Sequence, residues 1–574
     1  MNIFETYLKI FQDLIIKNYK NLNIEPEISF EGVVVEIPPQ EFNFDLSSNI
    51  ALVLAKKSKQ SPIKLANLII DILEKNLRDF SNIIVAGPGF INFKFTSKTY
   101  QKLIVDILEA KNKYGSINKK DNYNIEFVSA NPTGPMHIGH SRGAIFGDVL
   151  ANLLMFNGNT VTKEYYINDY GNQIINFAES VFYRLREIKF NEKFNKKENL
   201  YPGDYVIDIA KKILLELPEI NLGNFKKIFT ILSQESLKHS MNLIKDDLKS
   251  LGISHDNFVS ETDLVKKNLV TSSIKYLKDK KFVEEGFLNP PKNEDNKVWK
   301  KTKRLIFKST LFGDDTDRAL QKDDGSWTYF ANDIAYHADK ISRKYNYLIN
   351  ILGADHTGYI KRITAATRAL SDNKTSLICK VCQLVKLFKN GQPYKMSKRS
   401  GDFISVSELL DEVDKDSIRF MMLNRSNDVE LDFDFDKVLE KTRENKVFYV
   451  QYCYARISSL FRTLEVNPSG DFKINEINFK LNEYETNLFR KVLDWPKVIE
   501  TASNKFEPHR IPFYLYDLAT LFHAYWSKGN EDTKYRFIEN GKIKNKNTLS
   551  IIKLVALTIE NGMGILGVSL PTKM

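Results

Sequence analysis

The sequence predicts a multi-domain chain that is α/β in its middle and all-α at its end. A Rossmann-like doubly wound parallel-sheet domain is preceded by a small α+β module and followed by an α-helical bundle. Three observations carry this. Residues 125–167 read strand, helix, strand, the βαβ unit of a parallel sheet. Apolar strand-like runs return from Tyr347 to Leu352 and from Leu377 to Leu387. Beyond about residue 411, apolar positions recur at i, i+3, i+4 throughout. The 574 residues correspond to three or four domains at about 150 residues each, with boundaries expected at 1–117, 118–410 and 411–574.

The first module opens on a helix, with Ile3, Phe4, Leu8, Phe11, Leu14 and Ile15 interleaved with Glu5, Lys9 and Asp13. A strand from Gly32 to Ile37 is stopped by Pro38-Pro39, a helix pair spans about Leu46 to Phe80, and two strands flank Ala86-Gly87-Pro88-Gly89-Phe90. Tyr114-Gly115-Ser116 reads as a linker. In the middle domain a strand from Ile125 to Ser129 enters the loop Asn131-Pro132-Thr133-Gly134-Pro135, and a helix then runs to Asn157-Gly158. Thr160 to Ile167 is the second strand, and charged, Lys/Glu/Asn-rich insertions are expected around 180–310.

Hydrophobic residues at 43% and charged residues at 27% exclude a disordered tail, a collagen-like repeat and a disulfide scaffold. The net charge of +11 suits a polyanionic partner. It is uneven: +10 of it falls within 118–410, residues 361–400 hold ten basic residues and one acidic, and 411–574 is neutral. Cys379, Cys382 and Cys453 are too few for a disulfide framework. The N-terminal helix face differs from a signal peptide, and no apolar run is expected to reach the ~18 residues that span a bilayer. A soluble, cytoplasmic protein without membrane attachment is expected.

The chemistry concentrates in Pro135-Met136-His137-Ile138-Gly139-His140. Two imidazoles at i and i+3 stand at the mouth of a helix that follows a strand, where unpaired backbone N–H groups and the helix dipole favour an anion such as phosphate. Gly139, Gly143 and Gly147 strip one helix face, at about 1 kcal/mol each relative to alanine, which calls for close approach of a nucleotide or of the sheet. A zinc site would need further ligands at suitable local spacing, and none lies there. The second signal is Lys395-Met396-Ser397-Lys398 between Asn390-Gly391 and Gly401-Asp402, a basic loop with glycine at both ends. Alone it reads as a solvated turn. Together, two imidazoles and two lysines can neutralise charge developing on a triphosphate under attack.

This pair, HIGH followed by KMSK, resembles the class I aminoacyl-tRNA synthetases. The segments EFVSANPTGPMHIGHSRGAIFGD, DGSWTYFANDIAYH, LGADHTGYIKR, EPHRIPFYLYDLATLFHAYW and LGVSLPTKM, with AGPGFINFKF near the start, resemble the arginyl-tRNA synthetases over nearly the whole chain. The resemblance implies the arginine–tRNA ligase reaction: ATP with Mg²⁺ activates L-arginine to arginyl-adenylate, and the arginyl group passes to the terminal adenosine of tRNA(Arg). It also implies a requirement for tRNA before the first step, a monomer, no structural metal, a tRNA-contacting N-terminal module and an anticodon-binding C-terminal bundle. His137, His140, Lys395 and Lys398 are implied as catalytic. ATP contacts are implied for Pro135, His137, Gly139, His140, Gly143, Asp355, His356 and the Lys395-Met396-Ser397-Lys398 loop. Arginine contacts are implied for Glu126, Ser129, Asn131, Tyr329 and Asp333, and tRNA contacts for Phe90, Asn92, Tyr449 and Met574.

A guanidinium is a planar fork of donors that pairs with carboxylates. Glu126 lies in an apolar strand, where an unpaired carboxylate would be expensive, so the sequence favours a binding role for it more than for Asp333. Two departures from the family pattern stand out. Many arginyl enzymes carry a lysine just before the histidine motif instead of the second KMSK lysine; here Gly134 holds that place and Lys398 is present. In the first module, Asn43-Phe44-Asp45 replaces a His-Gly-Asp type turn.

Cys379 and Cys382 lie in an apolar strand and face opposite sides, which argues against zinc. Tyr449, Tyr452, Tyr514, Tyr525 and Trp526 read mainly as helical core, with some left to stack on bases. Rival readings are a cysteine- or glutamate-type class I synthetase, a small nucleotidylyltransferase, which would need neither the helical tail nor the insertions, and a nonenzymatic RNA-binding paralogue, which would have lost the two motifs.

Overall fold

The computed structural model describes residues 2–194, 197–287, 302–394, 404–466 and 479–574. The chain forms two compact units, one of residues 1–118 with 441–574 and one of residues 119–440.

In the first unit, strands Val35–Glu36, Leu46–Ser48, Phe90–Phe95 and Phe80–Ala86 form an antiparallel sheet in that order. The expected strand from Gly32 shrinks to two residues, and Leu46–Ser48 pairs as a strand where a helix is expected. The helices begin only at Ile50–Ser58 and Pro62–Asn76, where Pro62 suits a first helical turn. Phe11 stacks on Phe93 at 4.8 Å between ring centres, within an aromatic core shared with Tyr7, Phe80 and Phe95. Four long helices follow at Lys446–Thr463, Glu483–Lys505, Arg510–Glu531 and Lys546–Leu566. Asp45 is fully buried: it accepts from Arg490 Nε (2.9 Å), Tyr100 Oη (2.6 Å) and the Phe95 amide (2.9 Å). Asn43, one of the two departing residues, joins the same contact, its Oδ1 accepting from Arg490 Nη2 at 3.3 Å, so this turn is a structural joint. The linker glycine, Gly115 at φ +98, lies where a Cβ would be 2.5 Å from Trp495 Nε1, and that indole donates to the Tyr114 carbonyl at 3.1 Å. Among the described residues one helix, Asn547–Leu566, is long and apolar enough by length and composition to cross a membrane, although Lys553 and Glu560 interrupt it, and 83% of its most apolar stretch is buried inside this unit.

The second unit is built on a five-stranded, all-parallel sheet. Its strands are β1 (Asn122–Glu126), β2 (Thr160–Ile167), β3 (Asn257–Ser260), β4 (Tyr347–Gly353) and β5 (Ser376–Cys382), in the order β5-β4-β1-β2-β3. The order reverses between β1 and β4, and ligands of such sheets bind outside the carboxyl ends at that point. The strands end earlier than expected: β1 stops at Glu126, and the 377–387 run splits into β5 and β6 (Val385–Lys389). Helix α1 (Ile138–Phe156) joins β1 to β2. The insertion between β2 and β3 contains α2 (Asn172–Phe190), α3 (Asp204–Glu216) and α4 (Phe225–Ser250), packed around Phe177, Val206, Ile213 and Leu232. Helix α5 (Glu261–Lys266) follows β3, and α6 (Tyr329–Ser342) precedes β4.

Residues 411–440, read from sequence as the start of the helical tail, belong to this second unit. Strand β7 (Leu431–Asp434) pairs parallel with β6. Helical periodicity marks a buried face without saying which body covers it, and two arginines decide the matter. Arg142 of α1, buried, donates to the carbonyls of Gln383, Ser426 and Val429 at 2.8–2.9 Å. Arg419 bonds Asp148 of α1 at 2.5 Å, and Lys163 bonds the other oxygen of that carboxylate at 2.7 Å. Asp148→Ala removes the carboxylate shared by the buried Arg419 and the half-buried Lys163, so urea unfolding followed by circular dichroism is expected to show a loss of about 3–5 kcal/mol. An unchanged transition would contradict this account.

Candidate active site

The chain leaves β1 through a strained turn. Val128 at φ 70 and Ser129 at φ 40 are both left-handed, and the Ser129 amide donates to the Phe127 carbonyl at 3.0 Å. That conformation is rare for a β-branched residue and costs on the order of 1–3 kcal/mol. It turns Ser129 Oγ toward Glu126 Oε1 (3.2 Å) while the same oxygen accepts from the Tyr166 amide (3.0 Å). Glu126, for which the apolar strand makes an unpaired state expensive, already has a charged partner. Its Oε2 accepts from Lys340 Nζ at 2.6 Å, and Lys340 is fully buried.

Helix α6 carries the other half of this corner. Tyr329, Asp333, Tyr336 and Lys340 follow at i, i+4, i+7 and i+11, one face of the helix. Tyr329 is 62% exposed at its first turn, and its hydroxyl lies near Gly171. Tyr359 donates to Asp333 Oδ2. Glu261, at the start of α5, is buried and accepts from Asn332 Nδ2 at 2.6 Å. Burial first, then the charges of Glu261, Asp333 and Glu126 in turn, push the Tyr166 phenol far up, so all three carboxylates act on that ring. Burial is also the main cause that raises Asp333 to about 7; the Tyr359 bond opposes it, and Glu126 and Glu261 add to it. Burial raises Glu261 as well. Glu126 is paired with the buried Lys340 ammonium, and Asp333 and Glu261 add two further carboxyl groups, an acidic grouping suited to a second cation. Asn131 is exposed on the loop and accepts from Asn168 Nδ2 at 3.4 Å.

The histidine motif forms the N-terminus of α1. His137 is the N-cap: its Nδ1 accepts from the Gly139 amide (3.1 Å), while His140 Nδ1 accepts from the His137 amide (3.3 Å). The rings stack at 3.7 Å. With both Nδ1 atoms accepting, the hydrogen bonds assign each proton to Nε2. Burial lowers His137, and burial with His137 beside it lowers His140 to about 3. Both imidazoles are therefore neutral, and each offers its Nε2–H as a donor. The unpaired backbone cradle expected there is also largely occupied. Ile138 N–H donates to the Ile404 carbonyl (2.9 Å), His140 N–H to the His137 carbonyl (2.8 Å), and Gly139 N–H to the His137 ring.

The glycine stripe has three separate causes. A Cβ on Gly139 would stand 2.8 Å from the His137 ring, and one on Gly147 2.3 Å from Phe127 at the sheet, whereas one on Gly143 would meet nothing within 4 Å. Only Gly143 thus leaves open room for a ligand. Gly134 is covered by the Tyr205 ring of α3, at 3.0 Å from a Cβ, and Tyr205 Oη donates to the Thr133 carbonyl at 3.0 Å. Met136 N–H, next to Pro135, donates to Asp247 of α4 at 2.8 Å. The insertion therefore grips both ends of this loop. Asp355 and His356, in the turn Ala354–Tyr359 after β4, are exposed at the same carboxyl edge, 3.5 Å from each other.

Lys395, Met396, Ser397 and Lys398 lie outside the described residues. Their described C-terminal flank bonds the histidine motif directly: Val406 N–H donates to the Met136 carbonyl at 3.0 Å, and Ser405 bridges to His137. Cys379 and Cys382 are both pushed up to about 12 by burial, which makes them poor metal ligands or nucleophiles. Among the described residues one cluster, Glu216, Glu235 and His239, brings ligand atoms within 4.8 Å of one another. Lys238 already donates to both carboxylates at 2.8 Å, so a cation occupies that cluster.

The family model described as "tRNA synthetases class I (R), catalytic domain" matches residues 103–459. "Arginyl tRNA synthetase N terminal domain" matches 9–95 and "DALR anticodon binding domain" 450–574. An arginine–tRNA ligase of Pelagibacter ubique is 52% identical over 100% of both chains. The chain belongs to the arginyl-tRNA synthetase family. An arginine–tRNA ligase of Rickettsia bellii is 43% identical, again over 100% of both chains. The solved Thermus thermophilus arginyl-tRNA synthetase superposes with a TM-score of 0.70, covering 99% of this chain and 100% of that one; at 20% identity it bears on the fold alone.

Within this arginyl-tRNA synthetase chain, the structure brings together Glu126 and Ser129 and groups Asp333 with them electrostatically. It places His137 and His140 on the neighbouring helix start. Asn92, expected to face tRNA, is only 3% exposed in the middle of its sheet, whereas Phe90 at the strand end is partly exposed. Met574 is exposed, and Tyr449 is partly so. Tyr514 and Tyr525 are core, while Tyr452 and Trp526 remain partly exposed with the Arg456 guanidinium over both rings at 4.2 and 5.1 Å. Sequence reasoning missed Lys340 and Glu261. Lys340 was within reach, since it continues the Tyr329/Asp333 stripe by two further turns; Glu261 had no local signal.

Proposed function

We propose that the protein activates L-arginine with ATP and transfers it to tRNA(Arg). The observation that carries this is the electrostatic grouping of Glu126, Asp333 and Glu261 about Tyr166 at the sheet's switch point, where β1 leads through its turn into the helix opened by His137 and His140. The guanidinium enters the acidic corner and pairs with Glu126 Oε1 and Asp333, with Tyr329 and Asn131 at the entrance. The arginine carboxylate oxygen attacks the α-phosphorus, a new P–O bond forms, the bond to the β-phosphate breaks, and pyrophosphate leaves. His137 and His140 donate from Nε2 to the charge spreading over phosphate oxygens, and Lys395 and Lys398 supply the positive charge. Mg²⁺ enters with the ATP phosphates. A hydroxyl of the tRNA's terminal adenosine then attacks the arginyl carbonyl and releases AMP. Positioning does most of the work, because a carboxylate is already a competent nucleophile. The tRNA contacts proposed for Phe90, Tyr449 and Met574, with Tyr452 and Trp526 as stacking surfaces, belong to the other unit.

The pH dependence tests the pocket. Asp333, raised to about 7 in the free protein, must lose its proton to pair with guanidinium. Below pH 7 binding has to displace that proton, so kcat/KM for arginine is expected to fall by up to tenfold per pH unit as pH drops. Above pH 7 it is flat. Asp333→Asn is expected to abolish this limb and run low at every pH. A wild-type profile flat from pH 6 to 8 would contradict the assignment.

A further inference from the structure

Lys340 is the most buried charge at the arginine corner, and a buried ammonium persists only with partners. Its Nζ donates to Glu126 Oε2 at 2.6 Å and Asn350 Oδ1 at 3.0 Å, and it stands over the Tyr336 ring at 4.4 Å. Asn350 in turn bonds His337 Nε2 through its Nδ2 (3.1 Å), and His337 Nδ1 bonds the Asp333 carbonyl (2.8 Å). Since the amide nitrogen is the donor, Nε2 accepts and Nδ1 carries the proton. Burial lowers His337 to about 3, so it is neutral in this role. The result is one continuous chain of bonds from the Asp333 backbone through His337, Asn350 and Lys340 to Glu126, and on through Ser129 to the Tyr166 amide.

We propose that Lys340 is a positioning residue for amino-acid recognition: by holding one oxygen of Glu126 it fixes the carboxylate so that the other oxygen meets the guanidinium in register with Asp333. The proposal rests on the arginine pocket described above and adds a residue that never touches the substrate. Both oxygens of Glu126 have fixed donors, and only the weaker one, the Ser129 hydroxyl at 3.2 Å, is easily exchanged for a guanidinium N–H. Without Lys340 the carboxylate keeps its place in the strand but not its orientation.

The test is a double-mutant cycle on the full chain, read as KM for arginine, KM for ATP and kcat in pyrophosphate exchange with tRNA present. Lys340→Met is expected to raise the KM for arginine about tenfold, the ordinary size of one charge-assisted hydrogen bond, with the KM for ATP and kcat at saturating arginine within about threefold. In a Glu126→Gln background the same substitution is expected to add nothing. Should the single variant fold poorly, the comparison of Glu126→Gln with Glu126→Gln/Lys340→Met, which removes both charges together, still decides. Additive losses, or equal losses in the arginine and ATP constants, would overturn the positioning role. If Glu126→Gln itself leaves the arginine KM unchanged, the pocket fails; if it raises that KM while Lys340→Met does not, only the role of Lys340 fails.

Discussion

Replacing His140 by glutamine is expected to lower kcat for arginine-dependent pyrophosphate exchange, assayed with tRNA present, by about 100- to 1,000-fold, the usual effect of losing one donor aimed at transition-state charge. The choice of glutamine matters. His140 Nδ1 accepts from the His137 amide and so helps cap α1, and glutamine is a good acceptor at that position of a capping box. The helix start is preserved, while the rigid imidazole Nε2–H is replaced by the N–H of a flexible amide whose oxygen is committed to the cap. The KM for arginine and the thermal midpoint are expected to stay near wild type. Unchanged exchange would remove His140 from the chemistry, and a collapse of the fold would mean that its role is the cap.

Glu126→Gln is expected to act on the other substrate, raising the KM for arginine about 10- to 100-fold while that for ATP moves less than threefold. Glutamine keeps the shape and one acceptor but loses the charge against guanidinium, worth about 1.5–3 kcal/mol per charged hydrogen bond. It also leaves Lys340 facing a neutral amide, so a modest loss of stability accompanies it. Equal effects on arginine and ATP would argue against a guanidinium contact. The two substitutions thus separate the pocket from the phosphate end.

Much of this arrangement was legible in the sequence because it follows local rules. The helix opened by His137 and the Thr160–Ile167 strand depend on periodicity and caps, and the structure has them where expected, with the first strand of the βαβ unit shifted three residues upstream to Asn122–Glu126. Glu126, Tyr329 and Asp333 were reachable through the family resemblance. The rest depends on contacts distant in sequence. That Glu126 is already paired needs Lys340, 214 residues away. That Asp333 shares its corner with Glu261 needs the packing of α5 against α6. The neutrality of the histidines follows from their burial and mutual stacking, which a sequence records only as two letters three apart. The boundary near residue 411 moved because helical periodicity says that a face is covered, and only Arg142, Asp148 and Arg419 say by what. The burial of Asn92 is hidden for a similar reason: alternation along a short strand does not reveal that both of its faces are buried.

The central claim is that this acidic corner selects arginine by its guanidinium. Pyrophosphate exchange with each amino acid in turn, tRNA(Arg) and ATP held constant, tests it most directly. The expected result is strong exchange with arginine alone, with lysine, whose single ammonium cannot bridge Glu126 and Asp333, far below it. Exchange supported by cysteine or glutamate, or by lysine as well as arginine, would contradict it.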